Sequence, residues 1–464
     1  MPQGVEDFLR DYVEALARGS AGLFVGAGLS MSAGLPGWGR LLEGMARDIG
    51  LDITKERDLV SLAQWSVNHH AGSRAHIAGL VRRTFDRDVP VSEAHRILSR
   101  LPLSHVWTTN YDQLLEAAWQ QTGKVVDVKS RNGDLTTSDP EADTVLYKMH
   151  GTAGHPDEII LTTDDYELFA QSRPGFLQIL GSDLASRTFL FLGLSFEDPN
   201  LTHLMATLRA AFRDTPRQHY TIMKRPSDAY EARRFDHFVR DQNRYGVRTL
   251  VVDDYAEVTK ILERLERRYA QRNVFVSGSF PEDGEAKERD TISSIARGVG
   301  RIVGTRRLGL VTGLGRVVGS AALSGMIEAL DGQTGAAISR RLIVRPVRDV
   351  LPLGATLEEA KRKSREDLIA QSGIMVVIGG FRQGAASKGV LEEFEMAKAR
   401  GVIVLPLAAT GYVARQIWDK MRAEPEVYLT KEIDAAFFEE IGPQVTSEGA
   451  ILAALERCIT RIVA

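Results

Sequence analysis

The feature that most constrains the fold is a glycine-rich turn near the start of the chain. The apolar segment 21–25 reads AGLFV, and Gly26, Ala27 and Gly28 follow it directly. We interpret the segment as a buried strand and the glycines as a tight turn into a helix that begins near Ser30. Such a turn lets backbone N–H groups approach a phosphate at the positive end of a helix. A turn that binds nothing would use the same residues, so this stretch alone leaves both interpretations open.

Length and composition limit the number of domains and the classes of protein that the chain can represent. At 464 residues it is too long for one compact core, so we expect at least two domains. The net charge of -3 argues against a dedicated nucleic-acid binder. The single cysteine, Cys458, excludes an internal disulfide framework and a four-cysteine zinc site, and we expect no metal. The charged N-terminal segment and the lack of a long apolar run predict a cytoplasmic protein without a membrane span.

Strands and helices alternate through the first half of the chain. The spacing of apolar residues over 38–101 predicts a helical insertion between the first strand and the second. Alternation of this kind is typical of a doubly wound parallel sheet. The further strands that we predict cover residues 105–110, 144–149, 159–162, 189–192, 220–223 and 249–252.

Polar residues follow several of these strands, where open α/β sheets bind ligands. Asn110 and Asp112 come after the second strand, and His150 ends the strand at 144–149. Gly193 and Ser195 follow the strongly apolar segment FLFL. Because carboxyl ends of parallel strands meet at one edge of a sheet, we expect these residues to face the first glycine turn. Asp112 could equally cap the following helix, and a lone histidine such as His150 is often structural.

Four strand ends therefore carry GAGLS, TTNYD, MHG and GLSF in that order. Together they resemble the sirtuin family over about the first 270 residues. The resemblance implies that the first turn cradles NAD+ and that the last turn holds its adenosine side. The NAD+-binding residues would be Gly26, Ala27, Gly28, Ser30, Gly193 and Ser195. It also implies catalytic residues between the two turns, with His150 as the base, Asn110 orienting water or ribose, and Asp112 holding the ribose side or positioning its neighbours.

The chain departs from protein-deacylating sirtuins in two places. Those enzymes carry a zinc module of four cysteines, which this sequence lacks. After GLP they have an acidic residue, phenylalanine and arginine, whereas this chain has Gly37, Trp38 and Gly39. We therefore expect an NAD+ hydrolase that breaks the nicotinamide–ribose bond without an acyl-peptide. An NAD-dependent protein deacylase and a catalytically silent nucleotide-binding scaffold remain as alternatives.

A second α/β domain follows the helical segment 255–272. We place the domains at residues 1–272 and 273–464. The predicted architecture is α/β, with two Rossmann-like parallel-sheet domains of which the first has a helical insertion. The strands predicted in the second domain cover residues 274–276, 308–311, 342–344, 374–378 and 402–405.

Glycine turns and basic residues recur at the strand ends of the second domain. The turn GLGRVVG is one residue longer than the dinucleotide fingerprint, and no acidic residue follows the next strand, which argues against a redox cofactor. Basic residues beside glycine turns suit a ligand with several phosphates, although each one alone could be a surface charge. The candidate residues for such a ligand are Gly278, Ser279, Gly313, Gly315, Gly319, Arg345, Arg365 and Lys388.

The order SGS, TGxG, RP and Gly-Gly resembles a nucleotide-sensing Rossmann-like family related to lysine-decarboxylase-like cytokinin-activating enzymes. Those enzymes carry PGGxGTxxE, which this chain lacks, so the comparison points to a sensor. The whole chain resembles the NAD-consuming effectors of the Thoeris antiphage system. That resemblance implies a cyclic ADP-ribose isomer, made by a TIR-domain partner protein, as the signal that switches on NAD+ hydrolysis. It also implies self-association, as a tetramer or larger, and loss of NAD+ that halts the infected cell.

Overall fold

The computed structural model describes residues 3–196, 198–211, 217–331, 341–345, 356–382 and 385–463. The chain divides into two compact units, Met1–Glu266 and Arg267–Ala464. The division falls within the helix Tyr255–Ala270, in the segment that the sequence predicts as the end of the first domain.

The first unit is built on a parallel sheet. Its strands are β1 (Ala21–Val25), β2 (His105–Thr108), β3 (Val126–Lys129), β4 (Thr144–Lys148), β5 (Thr188–Leu192), β6 (His219–Lys224) and β7 (Val247–Val252). They lie in the order β3–β4–β2–β1–β5–β6–β7. The central strand β1 is buried along its whole length, and its Leu23 lies opposite Val106 on one side and Leu190 on the other. The chain leaves β1 toward β2 on one side and later returns to β5 on the other, which opens a crevice at the carboxyl ends.

Helices cover both faces of this sheet. Four of them, α3 to α6, form the helical insertion that the sequence predicts between the first two strands. The helices are α1 (Gln3–Arg18), α2 (Ala27–Met31), α3 (Trp38–Asp48), α4 (Leu59–His69), α5 (Ala75–Phe85), α6 (Glu93–Arg100), α7 (Leu114–Gln121), α8 (Thr163–Glu167), α9 (Phe169–Ser172), α10 (Pro174–Ser186), α11 (Pro199–Ala211), α12 (Ala229–Gln242) and α13 (Tyr255–Ala270).

Two segments differ from the strand predictions. Residues 159–162 are buried and apolar, but they form a loop that binds other parts of the chain rather than a strand. The N–H of Ile160 donates to the carbonyl of His150 at 3.0 Å, and Arg74 donates to the carbonyl of Ile159 at 3.0 Å. A short apolar run does not reveal which partners its backbone will find. Conversely, the half-buried edge strand β3 carries two charged residues and was not predicted.

The second unit contains a five-stranded parallel sheet. Its strands are β8 (Asn273–Ser279), β9 (Gly309–Thr312), β10 (Leu342–Val344), β11 (Ile374–Gly379) and, after the short antiparallel pair β12 (Phe381–Arg382) and β13 (Ala385–Ala386), β14 (Ile403–Pro406). The strand order is β10–β9–β8–β11–β14. The helices of this unit are α14 (Ala286–Thr305), α15 (Val318–Ala329), α16 (Leu357–Ala370), α17 (Lys388–Ala399), α18 (Tyr412–Ala423), α19 (Pro425–Tyr428), α20 (Ala435–Glu440) and α21 (Glu448–Val463).

The predicted α/β architecture is confirmed, since each unit has a parallel sheet with helices between its strands. The candidate sites lie at the ends of strands β1, β5, β8 and β11. These strands are central in their sheets and buried over most of their length. Among the helices that the structure describes, none is both long enough and apolar enough to cross a lipid bilayer.

Candidate functional site

Two glycine turns interlock at the carboxyl edge of the first sheet. The N–H of Gly28 donates to the carbonyl of Gly193 at 3.0 Å, and the N–H of Gly26 donates to the carbonyl of Leu192 at 2.8 Å. A Cβ atom on Gly26 would lie 2.5 Å from the carbonyl oxygen of Gly193, and one on Gly28 would lie 2.8 Å from its Cα. Gly193 itself has φ +69, a backbone conformation that favours glycine. The glycines are therefore required for contact between the turns, whatever else they bind.

A large cavity opens beside these turns. Its volume is about 980 Å³, at the upper end of the range for small-molecule sites. The wall includes residues that follow β1, β2, β4 and β5 and the last residues of β6, so the cavity lies in the crevice that the sheet order predicts. The lining residues that the sequence analysis proposed as ligands or catalysts are Ala27, Gly28, His150, Gly193 and Ser195.

The buried imidazole of His150 pairs with a carboxylate on the cavity wall. Its side chain is 1% exposed, and its Nε2 lies 3.1 Å from Oδ2 of Asp198, which is 10% exposed. This distance permits an ion pair, although the angles are not those of a hydrogen bond. The hydroxyl of Tyr166 lies 3.4 Å from the same carboxylate oxygen. His150 therefore meets the cavity as one member of a buried acid–base pair.

The environment of Asp198 favours its ionised form. Burial alone would raise the pKa of this carboxyl, but His150 and the backbone N–H groups of Leu201 and Asn200 outweigh burial, so the pKa lies below its usual value. The N–H of Leu201 donates to Oδ1 of Asp198 at 3.0 Å. One carboxylate oxygen thus accepts from an N–H in the first turn of α11, while the other faces His150.

Asn110, Ser30 and Asp112 form a hydrogen-bonded network beneath the turn. The Nδ2 of Asn110 donates to the carbonyl of Gly26 at 3.0 Å and to Oγ of Ser30 at 2.8 Å. Ser30 in turn donates to Oδ2 of Asp112 at 2.7 Å, and the other oxygen of Asp112 accepts from the N–H of Leu114 at 3.1 Å. Asp112 precedes Gln113, the N-cap residue of α7, and accepts from the first N–H of that helix, while the same carboxylate also fixes Ser30.

This network lines a second, small cavity of about 10 Å³ that shares Ala27, Trp38 and Thr109 with the large one. The Oδ1 atom of Asn110 is buried and has no hydrogen-bond partner among the residues that the structure describes. A buried carbonyl oxygen without a donor is costly, which favours binding of a hydroxyl or water at this position.

The sequence alone does not indicate several side chains of the site, among them Asp198, Arg57 and Lys224. Asp198 lies only three residues beyond Ser195 in GLSFEDPN, so the signal was present, but nothing in the spacing shows that it reaches His150. Arg57 comes from the connection between α3 and α4 and lines the large cavity. Its sequence surroundings carry no motif, and only the folding of the insertion over the crevice brings it there.

In the second unit, the proposed ligand residues follow neighbouring strands. Gly278 and Ser279 end β8, the glycines of GLGRVVG follow β9, and Arg345 follows β10. Lys388 begins α17 after β11 and is exposed, as is Arg345. The sheet order therefore brings these residues to one edge. The carbonyl of Gly278 lies 3.7 Å from the position of a Cβ on Gly315, so the first two turns approach each other.

Arg365 differs from the other basic candidates because carboxylates already surround it. Its Nη1 lies 2.6 Å from Glu392 and its Nε lies 3.6 Å from Glu393. Glu393 also accepts from the hydroxyl of Ser277 at 2.5 Å. Burial raises the pKa of Glu393 to about 7, against the opposing effects of Ser277 and Arg365. The sequence predicts Arg365 as a charge available to phosphate, but its pattern does not indicate the two glutamates that pair with it.

Family models match both halves of the chain. Residues 104–247 match the SIR2-like domain, and residues 257–462 match the Sir2- and TIR-associating SLOG family. The fold and these matches thus define a protein with a SIR2-like unit followed by a SLOG-type unit.

Relatives that match over nearly the full length make this class more specific. The chain is 37% identical over 437 residues to NAD(+) hydrolase ThsA of Bacillus cereus (strain MSX-D12), covering 91% of each chain. It is 32% identical over 481 residues to NAD(+) hydrolase ThsA of Enterococcus faecium, covering 98% of each chain. A shorter match, 25% identical over 234 residues, covers 49% of this chain and 23% of defense-associated sirtuin 2 from Bacillus subtilis. The chain belongs to the ThsA family of NAD(+) hydrolases.

The pair formed by His150 and Asp198 predicts pH-dependent stability. Because the pKa of Asp198 is lowered, its carboxylate stabilises the folded state above the usual carboxyl pKa of about 4 and loses this effect as the pH falls through the lowered pKa. We expect Asp198→Asn to reduce the free energy of unfolding at pH 7 by about 1–3 kcal/mol. Chemical unfolding of the variant and the original chain between pH 7 and pH 3 measures the difference.

The matched control is Asp157→Asn, at an exposed aspartate of the same unit. It should leave stability unchanged across this range. A loss at Asp198 that is equally large at pH 7 and pH 3 would show that shape, rather than charge, explains the effect.

Proposed function

We propose that the first unit hydrolyses NAD+ at the nicotinamide–ribose bond. The observation that carries this proposal is a buried histidine, paired with Asp198, that faces a dinucleotide-sized cavity beside the interlocked glycine turns. The names of the full-length relatives support the same activity. On this account the protein acts in the cytoplasm, where NAD+ is available, and the reaction uses no metal. Within the described residues no cluster of three or more metal-ligating side chains occurs.

The chemistry needs few protein groups. The bond from ribose C1′ to the nicotinamide nitrogen breaks, and its electron pair leaves with nicotinamide, which becomes neutral and needs no general acid. The ribose passes through an oxocarbenium-like state, as in other glycoside cleavage. A water molecule then forms the new C–O bond, and His150 takes its proton directly or through a ribose hydroxyl. Asp198 holds the imidazole and stabilises it when it gains that proton.

The remaining site residues would position the substrate. The Oδ1 atom of Asn110, which has no hydrogen-bond partner in the described part of the chain, would accept from a ribose hydroxyl or from the attacking water. Ser30 and Asp112 hold Asn110 and the first turn in place. The backbone of Ala27 and Gly28 lines the cavity and would contact the pyrophosphate, whose two negative charges suit the cationic lining residues Arg57 and Lys224. Gly193 and Ser195 would lie toward the adenosine.

We expect His150→Ala to lower NAD+ cleavage by about 10²–10⁴-fold, because general base catalysis is typically worth that much. Asn110→Ala should also nearly abolish cleavage, since it removes the acceptor and two hydrogen bonds to the first turn. Release of nicotinamide from NAD+ measures both effects, with far-ultraviolet circular dichroism to establish folding.

His155→Ala is the matched control, because His155 is an exposed histidine five residues further along the same loop region. It should retain full activity. Substantial nicotinamide release by folded His150→Ala protein would rule out His150 as the base.

We propose further that the second unit senses a cyclic ADP-ribose isomer made by a TIR-domain partner protein. The family model over residues 257–462 describes a family associated with both Sir2 and TIR proteins, which supports this pairing. The glycine turns and basic residues at the edge of the second sheet suit a ligand with a pyrophosphate. Binding would switch on NAD+ hydrolysis within a self-associated assembly, a tetramer or larger, and loss of NAD+ would arrest a phage-infected cell.

The ion pairs of Arg365 suggest how the signal would act. In the structure this guanidinium is held by Glu392 and Glu393. A phosphate that competes for Arg365 would release these carboxylates and shift α16 relative to α17. A ligand activates only to the extent that it binds the active arrangement more tightly, and couplings of about 1–3 kcal/mol are typical.

Removing charge at the exposed edge should weaken sensing alone. We expect Arg345→Ala and Lys388→Ala to raise the concentration of cyclic ADP-ribose isomer needed for half-activation by about tenfold or more, since a charged hydrogen bond contributes about 1.5–3 kcal/mol. Basal NAD+ cleavage should not change. The measurement is a signal titration with a panel of isomers, read by nicotinamide release and with oligomer size recorded alongside.

Lys431→Ala, at an exposed lysine elsewhere in the second unit, is the control. Unchanged midpoints in both Arg345→Ala and Lys388→Ala would overturn the proposed signal site, whereas loss of basal activity would reassign these residues to structure.

A further inference from the structure

A fully buried histidine of the helical insertion reaches the large cavity through two hydroxyl groups. His95 in α6 is 0% exposed, and its Nδ1 lies 2.7 Å from Oγ of Ser92. Oγ of Ser92 lies 3.0 Å from Oγ of Ser32, and Ser32 lines the cavity. The chain His95–Ser92–Ser32 connects the insertion to the wall beside the first glycine turn. None of these three residues has a role in the proposed reaction so far.

Counting hydroxyl protons fixes the direction of this chain. Ser32 donates its only proton to the carbonyl of Leu29 at 2.6 Å, because a carbonyl can only accept. The bond between the two serines must then use the proton of Ser92. With that proton used, the bond between Ser92 and His95 must use a proton on Nδ1 of His95. The imidazole is thus the donor at the start of the chain.

The surroundings of His95 agree with one proton on its ring. Burial lowers the pKa of this imidazole to about 4, against the opposing charge of Asp112, so the ring is neutral at pH 7. Its Nε2 atom is buried and has no hydrogen-bond partner among the described residues. A neutral ring with its proton on Nδ1 leaves Nε2 bare, which matches that observation.

We propose that His95, acting through Ser92, is a positioning residue that makes the Ser32 hydroxyl a hydrogen-bond donor to NAD+. Since Ser32 accepts its bond from Ser92, its own proton can turn from the Leu29 carbonyl toward a ligand without breaking the chain. If Ser32 instead donated to Ser92, its only proton would be used in that bond, and its oxygen could only accept a hydrogen bond from a ligand in the cavity. Phosphate oxygens only accept hydrogen bonds, so the chosen direction suits the pyrophosphate or another acceptor oxygen of the dinucleotide.

This inference rests on the proposed NAD+ cleavage, and its test separates binding from chemistry. In full-length protein we expect Ser32→Ala and Ser92→Ala each to raise KM for NAD+ by about threefold to tenfold, the size of one ordinary hydrogen bond, while kcat stays within about twofold. Nicotinamide release is measured over a range of NAD+ concentrations, with cyclic ADP-ribose isomers at saturation.

The hydrogen bonds from His95 through Ser92 to Ser32 predict a specific pattern of KM values among variants of these residues. The double variant Ser32→Ala/Ser92→Ala should have the same KM as Ser32→Ala alone, because Ser92 acts only through Ser32. His95→Asn can place its Nδ2–H where Nδ1–H lies and should keep KM near the original value. His95→Leu, which has no donor, should raise KM as Ser92→Ala does.

Ser99→Ala is the matched control, since Ser99 is a buried serine of the same helix whose hydroxyl donates to the Arg96 carbonyl. A purely structural role would lower the melting temperature and kcat of the Ser92 and His95 variants without changing KM. If Ser92→Ala fails to fold, Ser32→Ala still decides the matter, because Ser32 is exposed.

An unchanged KM in Ser32→Ala, or additive KM effects in the double variant, would overturn the inference. Failure of the original chain to release nicotinamide at all would instead overturn the proposed function, so the two failures are distinguishable.

Discussion

The contact between the two glycine turns is the constraint on which the rest of the first unit depends. The turn after β1 and the turn after β5 share hydrogen bonds and leave no room for side chains at Gly26, Gly28 or Gly193. This contact fixes the crevice at the centre of the sheet. It also sets the start of α11, and so brings Asp198 to His150. A change in either turn would therefore disturb both the cavity wall and the pair formed by His150 and Asp198.

In each unit, one of the charged candidate residues is held in an ion pair or pairs. His150 pairs with Asp198 in the first unit, and Arg365 pairs with Glu392 and Glu393 in the second. The effects of these carboxylates on function would differ. A carboxylate beside a base stabilises the base after it has gained a proton, whereas carboxylates beside an arginine compete with a phosphate for that arginine. On the proposed account the first pair supports the chemistry, and the second is what a signal must displace.

Much of the fold could be predicted because strands that end in glycine turns carry strong local signals. GAG, HG and GLS each follow a buried strand, and parallel strands bring such turns to one edge. Local sequence spacing does not show which residues a side chain will contact. Asp198 lies in a predicted turn, yet its contact with His150 depends on how α11 leaves that turn. The buried segment 159–162 satisfies its backbone through His150 and Arg74, which no apolar pattern could show.

The central claim is that this protein cleaves NAD+ by itself, without an acylated peptide. The most direct test is to incubate the purified full-length chain with NAD+ and a panel of cyclic ADP-ribose isomers, and to measure free nicotinamide with and without an acetyl-lysine peptide. The account predicts nicotinamide release in the absence of peptide, at a rate that the peptide does not change. NAD+ consumption that strictly requires the peptide, with removal of its acetyl group, would contradict it and would favour the deacylase alternative.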